Sequence, residues 1–212
     1  MVACSPTPPL DSTDLEPESA GGAYTRVKRV FDVMLAILLL PLALIVMAII
    51  ALSVRLTSPG PALYWSARVG RGNRLFSMPK FRTMKISTPE VATHLLPNPD
   101  DYLTPVGPFL RRTSLDELPQ IYSILAGDLS FVGPRPALHN QDDLVALRTK
   151  YGIHHLLPGL TGWAQINGRD DLPIPRKVEY DREYLCRRTL LFDVRILLRT
   201  VAQVVRGEGI AH

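Results

Sequence analysis

Val33 to Val54 reads Val-Met-Leu-Ala-Ile-Leu-Leu-Leu-Pro-Leu-Ala-Leu-Ile-Val-Met-Ala-Ile-Ile-Ala-Leu-Ser-Val, 22 residues without a charge and with one proline, Pro41, in the first half. As a straight helix it would extend roughly 33 Å, enough to cross a bilayer core of about 30 Å. Both flanks are basic: Arg26, Lys28 and Arg29 precede the run, and Arg55, Arg68, Arg71 and Arg74 follow it. Basic flanks are normally retained on the cytoplasmic side, and a spanning helix cannot keep both ends there. Pro41 breaks the hydrogen-bond ladder, so residues 26–56 are expected to form a bent, re-entrant membrane helix. A plain spanning anchor with a tolerated proline is the alternative.

The rest of the chain fits one membrane-associated domain. Its 212 residues are enough for one real core but not for two comfortable ones. Residues 1–25 hold Asp11, Asp14, Glu16 and Glu18 with no lysine or arginine, so the overall +4 leaves the remainder at +8. That acidic, proline-bearing tail buries too little apolar surface to order itself and is expected to be disordered. The basic body, residues 57–212, suits anionic lipid headgroups, nucleotides or nucleic acid, and the apolar run selects lipid over nucleic acid. Cys4 and Cys186 are too few and too distant for a disulfide framework or a cysteine zinc site, which fits a reducing compartment.

Beyond the apolar run, Ala62–Val69 and Arg74–Met84 flank Gly70-Arg71-Gly72-Asn73 and predict a β-hairpin. Lys80, Arg82 and Lys85 lie on or just after its second strand. Ser87–Pro105 reads as an irregular surface excursion. Pro119–Ala126 predicts a short helix stopped by Gly127, and His139–Tyr151 another. His154-His155 lacks a third ligand and makes a poor zinc site. Trp163, in a glycine-punctuated loop, fits core packing better than stacking on a nucleobase. Two helices are predicted to close the chain, Pro175–Arg188 and Leu190–Arg206. In the second, Leu190, Leu191, Val194, Leu197, Leu198, Val201 and Val205 form an apolar stripe with Arg195, Arg199 and Arg206 off it. That stripe suits the domain core or a headgroup layer, and the two can coexist on different faces of the helix.

Arg111-Arg-Thr-Ser-Leu-Asp-Glu-Leu-Pro-Gln120 places two adjacent carboxylates, Asp116 and Glu117, beside a proline. Neighbouring side chains on a regular helix diverge by about 100°, so both address one ligand only where the backbone turns or a helix begins. The competing reading is a capping box, Ser114 covering a free amide and Glu117 reaching back. Gly133-Pro-Arg-Pro136 holds Arg135 between two prolines, a frame suited to presenting a planar guanidinium fork to an oxyanion.

With these residues in view, the chain resembles the bacterial sugar transferases that are monotopic polyprenyl-phosphate phosphoglycosyl transferases. The matching motifs are Lys28-Arg-Val-Phe-Asp32, Lys80-Phe-Arg-Thr-Met84, Arg111–Gln120, Gly127-Asp-Leu-Ser-Phe-Val-Gly-Pro-Arg-Pro136 and Pro158-Gly-Leu-Thr-Gly-Trp-Ala-Gln-Ile-Asn-Gly-Arg169. The resemblance implies the short form of the family and transfer of a sugar 1-phosphate from a uridine-type nucleotide sugar to polyprenyl phosphate. It implies that Asp116 is the nucleophile and Glu117 its partner, both touching Mg2+, with Lys80, Arg111, Arg135 and Arg169 binding phosphate. It also implies an α+β fold, mostly helical with a small hairpin, a re-entrant helix and amphipathic interfacial helices, on the cytoplasmic face of the bacterial inner membrane. A homo-oligomer is compatible with the sequence. One departure is Leu40, where the family often places serine before the bending proline. Two rivals stay open: direct transfer with Asp116 and Glu117 only holding metal, and a non-catalytic membrane scaffold whose acidic pair caps a helix.

Overall fold

The protein is described by a computed structural model over residues 20–88, 98–168 and 172–206. Helix α1, Ala20–Thr57, runs without interruption through Pro41. It starts six residues before the expected segment, so Ala20–Thr25 belong to a helix, and the rest of the expected tail lies outside the described residues. The buried apolar residues of α1 form a narrow stripe, Ala36, Ala43, Ile50 and Val54, at spacings of seven, seven and four, one face of a helix that Asp32 extends. Met34, Ile37, Leu38, Leu42, Ile45, Ile49 and Leu52 are exposed, and the helix is long and apolar enough to cross a membrane. An apolar surface this continuous has no place in water.

The hairpin forms as the sequence predicts. Strands β1, Leu63–Val69, and β2, Leu75–Phe81, pair antiparallel from Leu63↔Phe81 to Val69↔Leu75 around a 3-10 turn, Arg71–Asn73. Gly72 and Asn73 take φ of 65° and 60°, the left-handed geometry that glycine and asparagine tolerate best. Helices α2, Gly107–Thr113, and α3, Ile121–Ala126, follow, joined by a 3-10 turn over Leu115–Gln120. The helix expected over Pro119–Ala126 is thus split, because Pro119 sits in the tighter turn.

Three short strands were not expected from the sequence. β3, Ser130–Val132, pairs in parallel with β5, Gly159–Thr161, while β4, Ala137–Leu138, adds to the free edge of β1. The glycines make the β3–β5 crossing possible: a Cβ on Gly159 would stand 2.1 Å from the Gly133 nitrogen. Helices α4, Asp142–Lys150, α5, Trp163–Ile166, α6, Ile174–Arg187, and α7, Leu190–Arg206, complete the chain. The main core joins Ala36 and Ala43 of α1 to Met78, Ile121, Ile124, Phe131, Val132, Tyr184, Phe192 and Ile196.

Helix α1 is pinned to this core by charge. Lys28 Nζ lies 2.8 Å from Asp193 Oδ2, Tyr24 and Tyr184 donate to the two Asp193 oxygens at 2.9 and 2.8 Å, and the Phe131 amide donates to Asp32 at 3.3 Å. Arg29 donates to the carbonyls of Ile124 and Leu125 in the last turn of α3, the first of which also accepts from the Gly127 amide. At the other end, Arg82 donates to Ser58 Oγ at 2.7 Å and to the Ser58 carbonyl at 3.0 Å.

Part of the apolar stripe of α7 points outward. Phe192, Asp193 and Ile196 are its buried residues, whereas Leu191, Leu198, Val201 and Val205 are 81, 67, 60 and 81% exposed. The stripe divides: Leu197 packs against the main core, whereas Leu191, Leu198, Val201 and Val205 face away from it, and the covered side also carries Thr200 and Gln203, which bond to Thr161 and to the Ile166 carbonyl.

Candidate active site

The chain brings Lys80, Glu117 and Arg135 from three separate segments to one point. Lys80 projects from β2, Glu117 from the 3-10 turn, and Arg135 from the loop after β3. Lys80 Nζ and Arg135 Nη2 both bond Glu117 Oε1, at 2.6 and 2.7 Å. The capping box does not form: Ser114 has φ 56°, ends α2 as its C-cap and makes no side-chain cap bond, while only the Glu117 amide meets the Ser114 carbonyl. The glutamate is released from capping to hold two cations.

Asp116 behaves differently. It is 9% exposed, and among the described residues no hydrogen bond or ion pair within 4.0 Å engages its carboxylate. Burial pushes it up to about 6; Lys80 opposes the rise, the Glu117 charge adds to it, and Arg111 and Arg135 oppose it further. Burial alone would also raise Glu117, but Arg135 and Lys80 outweigh it and hold that carboxyl well below the usual range. The turn thus carries one carboxylate saturated with positive charge and one that is open and unusually basic. Arg111, buried enough to lower its own basicity against the pull of Asp116 and Asp100, donates through Nε to Thr83 Oγ1 at 3.1 Å.

These groups suit phosphoryl chemistry. Three cations around one open carboxylate can neutralise a diphosphate, and a carboxylate that stays ionised near neutrality while being more basic than usual is a competent nucleophile. Magnesium fits the donor set: Asp116 offers oxygens with no partner among the described residues, and Glu117 bonds Lys80 and Arg135 through Oε1. Among the described residues no group of three or more His, Cys, Asp or Glu could hold a metal without help. Magnesium commonly takes one or two carboxylates with substrate phosphates, so the pair suffices only with substrate present.

Other expected roles resolve plainly. Arg169 lies outside the described residues. Trp163 packs against Phe192 with ring centroids 5.0 Å apart and donates to Glu183 at 2.7 Å, a structural residue as read. His154 and His155 stack on each other, centroids 3.9 Å apart. A cavity of about 30 Å³, lined by Val69, Asn73, Pro134, Arg148 and His154 among others, is water-sized and touches neither acidic residue. Sequence reasoning gave no role to Asp32, quoted only as the end of a motif, and missed Arg148, Asp181 and Asp193, all buried. Their one signal is a charge at a helix position whose neighbours three and four away face the core.

A family model described as bacterial sugar transferase matches residues 23–207. The chain is 41% identical over 204 residues to the UDP-glucose:undecaprenyl-phosphate glucose-1-phosphate transferase of Escherichia coli (strain K12), covering 92% of this chain and 43% of that protein. It is 36% identical over 198 residues to the undecaprenyl-phosphate galactose phosphotransferase of Salmonella typhimurium, covering 86% of this chain and 41% of that protein. A protein of Caulobacter vibrioides with the same printed name as the Escherichia coli one is 38% identical over 212 residues, 93% of this chain and 79% of that protein. The chain spans about two fifths of the length of the first two.

Proposed function

The chain belongs to the bacterial sugar transferase family, and on that premise we propose that it transfers a sugar 1-phosphate from a uridine diphosphate sugar to undecaprenyl phosphate. The observation that carries this reading is the open Asp116 carboxylate beside a Glu117 already locked by Lys80 and Arg135. An Asp116 oxygen attacks the phosphorus attached to the sugar, the bond to the nucleotide phosphate oxygen breaks, and uridine monophosphate leaves. An oxygen of the lipid phosphate then attacks the same phosphorus, freeing Asp116 and giving polyprenyl diphosphate sugar. Splitting the reaction suits substrates that arrive from different phases, since donor and acceptor need not be bound together.

Lys80 and Arg135 fix Glu117 and face the incoming phosphates, while Arg111 adds positive charge at Asp116. Arg169 follows the same loop sequence that carries Trp163 and is assigned phosphate binding with them. Magnesium, held by Asp116 and Glu117 with substrate oxygens, would supply charge neutralisation at the phosphoryl group.

The membrane reading rests on two exposed apolar surfaces, α1 and the outer face of α7. Helix α1 enters and leaves one leaflet by bending at Pro41, and α7 lies in the headgroup layer with Arg195, Arg199 and Arg206 beside its apolar face. The catalytic part then faces the cytoplasm, on the inner membrane, where nucleotide sugars reside.

The test is a panel of uridine diphosphate sugars, scored for uridine monophosphate release with undecaprenyl phosphate present, and for a labelled phosphosugar on Asp116 with donor alone. Turnover with no adduct at Asp116 would favour direct transfer. Full activity in Asp116→Asn would leave the acidic pair a structural role only.

A further inference from the structure

Arg135 reaches Glu117 from a backbone that has little freedom of its own. Pro134 has a fixed φ, and Pro136 confines Arg135 to extended conformations. The Gly159 amide holds the Pro134 carbonyl at 2.9 Å. What remains is the swing of the Arg135 carbonyl, and Arg148 of α4 removes it: Nη1 donates to that oxygen at 2.7 Å. The other two arms of Arg148, Nε and Nη2, bond Asp181 Oδ2 of α6 at 2.9 and 2.7 Å. Arg148 and Asp181 are 8 and 1% exposed, so this guanidinium cannot itself meet a nucleotide sugar or a lipid phosphate.

We infer that Arg148 and Asp181 are positioning residues for the transfer, a buried clamp that sets where the Arg135 guanidinium stands over the acidic pair. The inference rests on the reading that Arg135 serves the reacting phosphates. A buried ion pair is weak evidence of stability, because apolar residues of equal volume often do as well. Here two of the guanidinium arms neutralise Asp181 and the third is spent on one main-chain oxygen, that of the residue whose side chain bonds Glu117 at 2.7 Å. Two helices distant in sequence thereby fix a loop at the site.

The experiment uses Arg148→Lys, which keeps a cation for Asp181 and loses the planar third arm. Its kcat/KM should fall roughly 100-fold, the scale of a misplacement near 1 Å. In an Arg135→Ala background the same change should cost no more than about threefold, because the clamp then has nothing to aim. Equal losses in both backgrounds would make Arg148 a residue of general stability and overturn the inference. Should Arg148→Lys not fold, the neutral pair Arg148→Gln with Asp181→Asn removes the clamp without burying a lone charge, and activity within twofold of the parent would overturn it equally. If Arg135→Ala alone is fully active, the phosphate reading fails first, an outcome separable from an active Arg148→Lys beside an inactive Arg135→Ala.

Discussion

Asp116 and Glu117 are neighbours in one 3-10 turn, yet the protein drives their acidities in opposite directions, the first up to about 6 and the second well below the usual carboxyl range. The cause is partition of the cations: both close contacts, from Lys80 and Arg135, go to Glu117. If ionised Asp116 is the working species, activity should fall on acidification through about pH 6. Lys80→Met should move that limb to higher pH, because Lys80 is the strongest influence lowering Asp116. Initial rates between pH 4.5 and 8.5 check both statements, and a limb that stays put in the variant would remove Lys80 from the electrostatics of Asp116.

The same shift predicts a conflict between stability and activity. A carboxyl whose folded pKa lies above the ordinary 3.8 costs stability as pH rises from about 4 to about 6, and the whole cost is present above that. Asp116→Asn should therefore stabilise the fold at pH 7.5 by on the order of 2 kcal/mol, read as a higher melting temperature, while abolishing transfer. The gain should shrink when melting is repeated near pH 4. A destabilised variant at pH 7.5 would mean that the ionised carboxylate has a stabilising partner.

The hairpin, its turn and the closing helix over Leu190–Arg206 were legible because alternation, turn glycines and helical spacing are local properties. β3, β4 and β5 are two or three residues long, too short for a period, and form only because distant glycines let two loops touch. The capping box misled because Ser114 satisfies the pattern in sequence while its backbone is already committed to ending α2. Spacing could mark the α7 stripe but not its direction, since a helix in lipid and a helix on a core share one period. The resemblance named Lys80, Glu117 and Arg135 from separate motifs, and their meeting follows from the hairpin folding back over the 3-10 turn. The local signal of Arg148 and Asp181, a charge at a core-facing helix position, does not name their partners, which lie 13 to 33 residues away.

Glu117→Gln tests the other half of the pair. Glu117 is depressed, so its contribution to stability is present above pH 4.5 and is lost as pH falls toward its folded value. Removing the charge strands Lys80 and Arg135, which are 16 and 31% exposed and so partly hydrated. Discounted for that exposure, the loss should be about 2 kcal/mol at neutral pH, with activity down at least 100-fold. Denaturant unfolding at pH 7.5 gives the first figure and uridine monophosphate release the second.

Lys28→Met should uncouple α1 from the domain. Asp32 and Asp193 would remain as two carboxylates at 1 and 0% exposure, held by tyrosine hydroxyls, the Ser130 hydroxyl and the Phe131 amide, with no cation in place of Lys28 Nζ. Breaking such a buried pair costs about 3 to 5 kcal/mol. Asp193→Asn in the same chain should recover part of that by removing one of the stranded charges. Melting of the detergent-solubilised single and double variants provides the comparison, and a double variant weaker than Lys28→Met alone would show that Asp193 is stabilising without its lysine.

The outward face of α7 offers a way to test the two proposed half-reactions apart. If Leu191, Leu198 and Val205 rest in the headgroup layer, replacing Leu198 by Glu places a charge where apolar contact holds the helix to the membrane. Leu198 is 67% exposed, so folding should be undisturbed, and in detergent the melting temperature should stay within about a degree. The adduct from donor alone should form at the parent rate, because the Asp116 turn is intact and the donor arrives from water. Transfer to undecaprenyl phosphate in vesicles should fall by roughly tenfold, since the site sits wrongly over the lipid that carries the acceptor. Equal losses in both steps would instead place α7 against the catalytic core, and no loss in either would leave membrane contact to α1.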